Sequence, residues 1–176
     1  MTRATRPESE ISVSMCDNTG MLAVVLTLLL QSTSIKGSLD IPRGMTPPST
    51  ARVVLLPLEY AKAFNAETQI RLDDYWEVFK ASGLAKSDRE QFIQFMPIAY
   101  GSALENAVSR MRRDSKINFA NLVRTAPQGQ FEFNNISPGE YKLVATASLR
   151  GVDYVWTETI QVQSTPLLLQ MKTRVP

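Results

Sequence analysis

The sequence predicts a mainly β fold, an antiparallel β-sandwich with an α-helical hairpin inserted between its strands. Three observations predict it. Short apolar or alternating runs recur roughly every ten residues between Gly and Pro punctuation. In the middle of the chain, about residues 66–114, the apolar period changes from two to about 3.6. Finally, GQFEFNNISPGEYKLVA (Gly129 to Ala145) sets two alternating runs on either side of a turn crowded with Asn, Ser, Pro and Gly.

The N-terminal segment reads as a leader. Met21 to Leu30, MLAVVLTLLL, is uncharged, and a run of this length is too short for a bilayer that needs roughly twenty apolar residues. It matches the apolar centre of a secretory signal, and Ser32 and Ser34 supply small residues for cleavage after Ser34. Residues 1–34 are therefore expected to be a leader and 35–176 the mature domain, exported to the periplasm, cell envelope or exterior. The flank departs from the pattern, because Arg3 and Arg6 lie far upstream while Glu8, Glu10 and Asp17 are nearer. A true start at Met15 or Met21 would account for that. Cys16 precedes the apolar run, so it is not placed as a lipoprotein cysteine. The competing reading is a buried strand or short core helix of the fold.

Beyond the leader, IKGSLDIP (Ile35 to Pro42) alternates, which predicts an edge strand stopped by Pro42. ARVVLLPL (Ala51 to Leu58) is apolar on both faces and suits a central strand ending at Pro57. Leu72, Tyr75, Trp76 and Phe79 then follow helical spacing, with Asp73, Asp74, Glu77 and Lys80 turned outward and Gly83 as a stop. Ser87 to Glu90 has capping-box spacing. After it Phe92, Met96, Ala99, Tyr100, Ala103, Ala107 and Met111 share a stripe that Pro97 should kink or divide. Arg110, Arg112 and Arg113 suit the negative helix end. INFANLVRTA, GQFEF, YKLVATASL, VDYVWTETIQV and LLLQMK read as the remaining strands.

Composition narrows the chemistry. The 176 residues carry a net charge of +2, which provides no strong field for nucleic acid. With no histidine and a single cysteine, Ser-His-Asp and Cys-His pairs, His-ligated zinc and an internal disulfide are all closed to this chain. Neither a phosphate-cradling glycine loop nor a dinucleotide fingerprint is present.

The order of these segments resembles carboxypeptidase regulatory-like domains, small transthyretin-like β-sandwiches common in exported bacterial proteins. Gly129-Gln-Phe131-Glu-Phe133 followed by Ile136-Ser-Pro138-Gly139-Glu-Tyr141 matches that family's G-x-F-x-F…(V/I)-x-P-G-x-Y pattern, and VVLLP resembles its preceding strand. The resemblance covers roughly Ile35 to Leu58 and Ile117 to Lys172, with the helical hairpin as a departure. It implies a scaffold or binding module without catalytic residues or cofactors. The partner is then expected to be another envelope or secreted protein, or a glycan, with no nucleic acid and no transmembrane helix in the mature chain. Related sandwiches can carry a Lys–Asn cross-link. Lys36 stands where such a lysine would lie, but Leu167 to Lys172 offers no Asn or Asp partner.

Four residues are the candidate contacts: Tyr75 and Trp76 on the hairpin, and Tyr154 and Trp156 in the penultimate strand. The hairpin holds more aromatic residues than loop closure requires, and any left exposed would mark a protein interface. Tyr154 and Trp156 are the alternative, a sugar-stacking platform in a carbohydrate-binding module with a starch-binding-like fold. Their alternation with Val152 and Ile160 favours the core instead. Asp73 and Glu77 share a helical face, but they lack the further oxygen donors that calcium needs, so no metal site is expected.

Overall fold

The structure, a computed structural model, describes residues 33–83 and 92–175. The expected leader lies outside the described residues except for Thr33 and Ser34, and so does the Ser87–Glu90 capping pattern. Among the described residues, eight strands form two sheets, and two long helices accompany them. The three-stranded sheet has the order β4–β1–β7, from β1 (Thr33–Leu39), β4 (Gln130–Ile136) and β7 (Leu167–Met171). The five-stranded sheet has the order β3–β2–β5–β6–β8, from β2 (Arg52–Pro57), β3 (Val123–Thr125), β5 (Gly139–Leu149), β6 (Val152–Val162) and β8 (Thr173–Val175). Every pairing is antiparallel except that of β1 with β7.

The first strand corrects an expectation. Its alternation predicts an edge, yet β1 lies between β4 and β7. The alternation arises because one face of this sheet is wet: Ile35 and Leu39 are buried, whereas Lys36 is exposed. Gly37 sits on the inward face directly opposite Phe131. A Cβ there would lie within 3.0 Å of three carbons of the Phe131 ring. Glycine is therefore what lets that ring lie flat across β1.

In β2, by contrast, Val53, Val54, Leu55 and Leu56 are all fully buried. At these four positions the five-stranded sheet is covered on both faces, so none of them can be polar cheaply. The row Val53, Ala145 and Trp156 faces the smaller sheet, where the Trp156 Nε1 donates to the Asp40 carbonyl at 3.0 Å, just past β1. The opposite row, which includes Leu56 and Lys142, faces the helices; the Lys142 Nζ lies 5.8 Å from the centre of the Phe64 ring.

Pro57 ends β2 and starts α1 (Leu58–Ala81), a helix of 24 residues. The helix begins at Leu58 and not near residue 66, because Ala61, Phe64 and Thr68 already bury one helical face against the sheet. The second helix, α2 (Met96–Arg113), carries Pro97 in its first turn, where the missing N–H has no partner to lose. Pro97 thus divides the expected stripe: Phe92 and Ile93 are helical, Gln94 and Phe95 turn, and α2 follows. Ala99, Ala103, Ala107 and Met111 are buried as the period predicts, together with Leu104 and Val108.

Two further segments differ from or refine the sequence reading. INFANLVRTA is not one strand: Phe119–Leu122 makes a single helical turn, α3, and only Val123–Thr125 pairs in a sheet. Asn118 to Leu122 contains no β-branched residue, and the turn buries Leu122. The NNISPG stretch carries the chain from β4 in one sheet to β5 in the other. Asn135 at φ 60° and Gly139 at φ 156° take backbone angles that few residues adopt, and the Tyr141 hydroxyl donates back to the Ser137 carbonyl at 3.1 Å.

Candidate functional site

The helices cover only part of the five-stranded sheet. Near the start of β2, the face toward the helices changes from apolar to polar: Val54 and Val144 give way to Arg52 and Thr146, which are paired, and then to Ser148 opposite Asp153. Thr125 of β3 pairs with Arg52 and extends the row. Over this floor stands the first half of α2, presenting Pro97, Gly101, Leu104 and Glu105. The result is an open groove of about 890 Å³. Arg52 on the floor forms an ion pair with Glu105 on the helix.

Gly101 is the unusual part of that wall. Glycine inside a helix is destabilising relative to alanine, and here no close approach requires it, since a Cβ would meet nothing within 4 Å. The hydroxyls of Thr50, Thr125, Thr146 and Ser148 line the same groove, and among the described residues none of them makes a side-chain hydrogen bond. Arg124 also borders it, but its guanidinium donates to the carbonyls of Glu132, Ala120 and Val123 and stacks 5.5 Å from the centre of Phe133. Arg124 therefore fastens β3 and α3 to β4.

A second cleft, of about 650 Å³, adjoins the first where α2 begins. Ile93, Pro97 and Ile98 line it together with residues 151–154 at the start of β6. Ile98 is 49% exposed and Val152 44%, and the neighbouring Phe95 is 41% exposed. Ile98 and Val152, two of the seven large exposed hydrophobic residues among those described, thus line the same cleft.

The four predicted contact residues fall in two places. Tyr75 and Trp76 are partly buried in an aromatic cluster that joins α1 to the segment before α2. Trp76 meets Phe92 edge-on at 4.9 Å, Phe79 lies 5.9 Å from Phe92, and Tyr75 lies 6.2 Å from Phe95. Trp156 is fully buried and Tyr154 is 5% exposed, their rings 6.0 Å apart. Neither ring presents a face to solvent on which a sugar could stack. No family model matches the sequence, and no curated protein matches it either.

The remaining candidate chemistry is engaged in the surface. Lys36 points to solvent, 3.5 Å from Glu132, and its register partner on β7 is Leu168. No internal Lys–Asn cross-link can form there. Asp73 accepts from Gln69 and Glu77 from Lys80. Among the described residues, no three acidic, His or Cys side chains gather as a metal site. Arg112 lies over the Phe119 ring at 5.2 Å. Among the described residues, no helix is long and apolar enough to cross a membrane.

Two ionisable clusters tie the helices together. The Tyr60 hydroxyl donates to the Asp114 carboxylate at 2.7 Å. That bond, reinforced by burial and the Asp114 charge, pushes Tyr60 up to about 12, and the same bond with the Lys116 amide holds Asp114 below the usual carboxylate range. Burial pushes Glu67 up, but hydrogen bonds from Arg71 and Asn106 and the charges of Arg71 and Arg110 together outweigh it, leaving Glu67 below its ordinary value. Both clusters hold α1 against α2 and stand apart from the two clefts.

The sequence reading missed the groove residues Arg52, Gly101, Glu105, Thr146 and Ser148. The available signals were a glycine inside an otherwise regular helix and a polar turn in the β5 pattern, YKLVATASL, after three buried positions.

Proposed function

We propose that this chain is a non-catalytic interaction module, exported to the periplasm, envelope or exterior, which binds another protein of that compartment. Its framework is a transthyretin-like β-sandwich resembling carboxypeptidase regulatory-like domains, with α1 and α2 as the inserted hairpin. Two sheets joined through the Ser137-Pro138-Gly139 crossover support the sandwich reading. The observation that carries the functional reading is the pair of exposed apolar residues Ile98 and Val152 lining the smaller cleft. Scattered single apolar residues are ordinary on a surface, whereas exposed apolar residues that share a cleft are a mark of a contact site.

The test places a photo-cross-linking amino acid at position 98, and at exposed Lys62 as a control, in the full chain expressed in its native cells. A discrete protein adduct at position 98 and none at 62 is the expected result. No adduct at 98, or the same products at both positions, would remove the proposal's support.

A further inference from the structure

We propose that the groove between α2 and the polar end of the five-stranded sheet is a binding site for a neutral saccharide. This site adjoins the cleft assigned to a protein partner and shares Pro97 with it, but it does not depend on that assignment. Four features converge on it. Gly101 leaves open the one space that a side chain on that helix position would fill, although nothing in the packing asks for glycine there. The groove, at about 890 Å³, has room for more than one sugar ring. Its floor and rim carry the hydroxyls of Thr50, Thr125, Thr146 and Ser148, unengaged by other described residues. Arg52 and Glu105 lie side by side across it, a donor fork next to an acceptor.

The chemistry of that lining selects the ligand class. Each hydroxyl both donates and accepts, so it matches a ligand whose groups do the same. A carboxylate can accept from one hydroxyl of a vicinal diol while the guanidinium beside it donates to the other, as a sugar presents them. Charge argues against an anionic ligand. Glu105 already compensates Arg52, Asp153 adds a negative charge, and Arg124 Nε and Nη1 donate to backbone carbonyls. A peptide added as a further strand is disfavoured for the same reason, because the Arg124 guanidinium occupies the Val123 carbonyl of β3.

The experiment maps backbone amide shifts of the full chain by NMR while neutral oligosaccharides of glucose, galactose and N-acetylglucosamine are added in turn. At least one should shift the amides of Thr125, Thr146 and Ser148, with an affinity insensitive to ionic strength. Gly101→Leu, which fills the groove, should abolish those shifts, while Gly101→Ala confirms that the helix tolerates a side chain at this position. Glu105→Gln, at an exposed position, should weaken binding about tenfold by removing a charged acceptor. The proposal is overturned if no neutral sugar shifts these amides, or if the shifts persist in Gly101→Leu. It is equally overturned if anionic sugars or uncharged peptides bind there more tightly than every neutral sugar, or if affinity falls steeply with salt.

Discussion

Replacing Trp156 by Phe tests the burial of the residue that the sequence offers as a sugar platform. Its side chain is fully buried in the face toward the smaller sheet, and Nε1 donates to the Asp40 carbonyl at 3.0 Å. Trimming indole to phenyl removes packed volume that the surroundings can only partly refill, a loss of about 1–2 kcal/mol. Losing the hydrogen bond contributes about 1 kcal/mol more, since the carbonyl must find another donor. The sum is about 2–3 kcal/mol of lost stability, a large share of the margin of a small domain. Urea denaturation followed by far-UV circular dichroism measures it, with the midpoint falling and the slope unchanged. A surface platform residue would change stability by no more than about 0.5 kcal/mol. A value that small for Trp156→Phe would refute the packing described here. The fluorescence of Trp76→Phe protein, in which Trp156 is the remaining tryptophan, should be blue-shifted and resist acrylamide quenching.

Three further outcomes are expected. Gly37→Ala should destabilise by about 1–2 kcal/mol in the same denaturation assay, because a methyl group there overlaps the Phe131 ring, and Phe131→Leu in the same background should restore much of it. Gly101→Ala should instead stabilise by about 0.5–1 kcal/mol, since it removes a helix-interior glycine without a clash; a loss of stability would mean that the groove is already filled. The third concerns pH. Tyr60 ionises near 12 in the fold against 10.0 unperturbed, so it stabilises fully below 10 and that contribution is lost as pH rises toward 12. Asp114 is held low, so its contribution is present above the unfolded carboxylate value and fades as pH falls through the folded one. Ultraviolet titration of tyrosinate should show the high-pKa tyrosine, and Asp114→Asn should bring it down toward the ordinary value.

The parts of the fold that were legible are those decided by local pattern. The run VVLL has no polar alternate position, and it sits where both sheet faces are covered. Pro97 cannot donate to a helix, so the stripe divides there. The Ser-Pro-Gly turn supplies the angles needed to leave one sheet for the other. What pattern could not decide was neighbourhood. The alternation of β1 says that one face is wet, but an edge strand and a central strand of a half-exposed sheet look alike by that measure. The strand that completes its pairing, β7, lies near the other end of the chain.

The same distinction explains the candidate sites. Alternation correctly groups Tyr154 with Trp156, yet only the register with Ala145 and Val53, and the bond to Asp40, puts that face against the smaller sheet. Helical period places Trp76 beside Phe79, but Phe92 arrives from beyond the helix to cover it, whereas Phe95, in the turn before Pro97, is left exposed. In the groove every signal is weak by itself. A strand-opening Arg, a helical Glu, a run of small hydroxyl residues and one glycine are ordinary in any sequence. Arg52 and Glu105 stand 53 positions apart and acquire meaning only when β2 and α2 bring them into one ion pair over the same hydroxyls. Gly101 is the exception, because its helix penalty is local and has no local compensation. An uncompensated glycine on a helix wall is thus the feature from which this groove could have been sought before any coordinates existed.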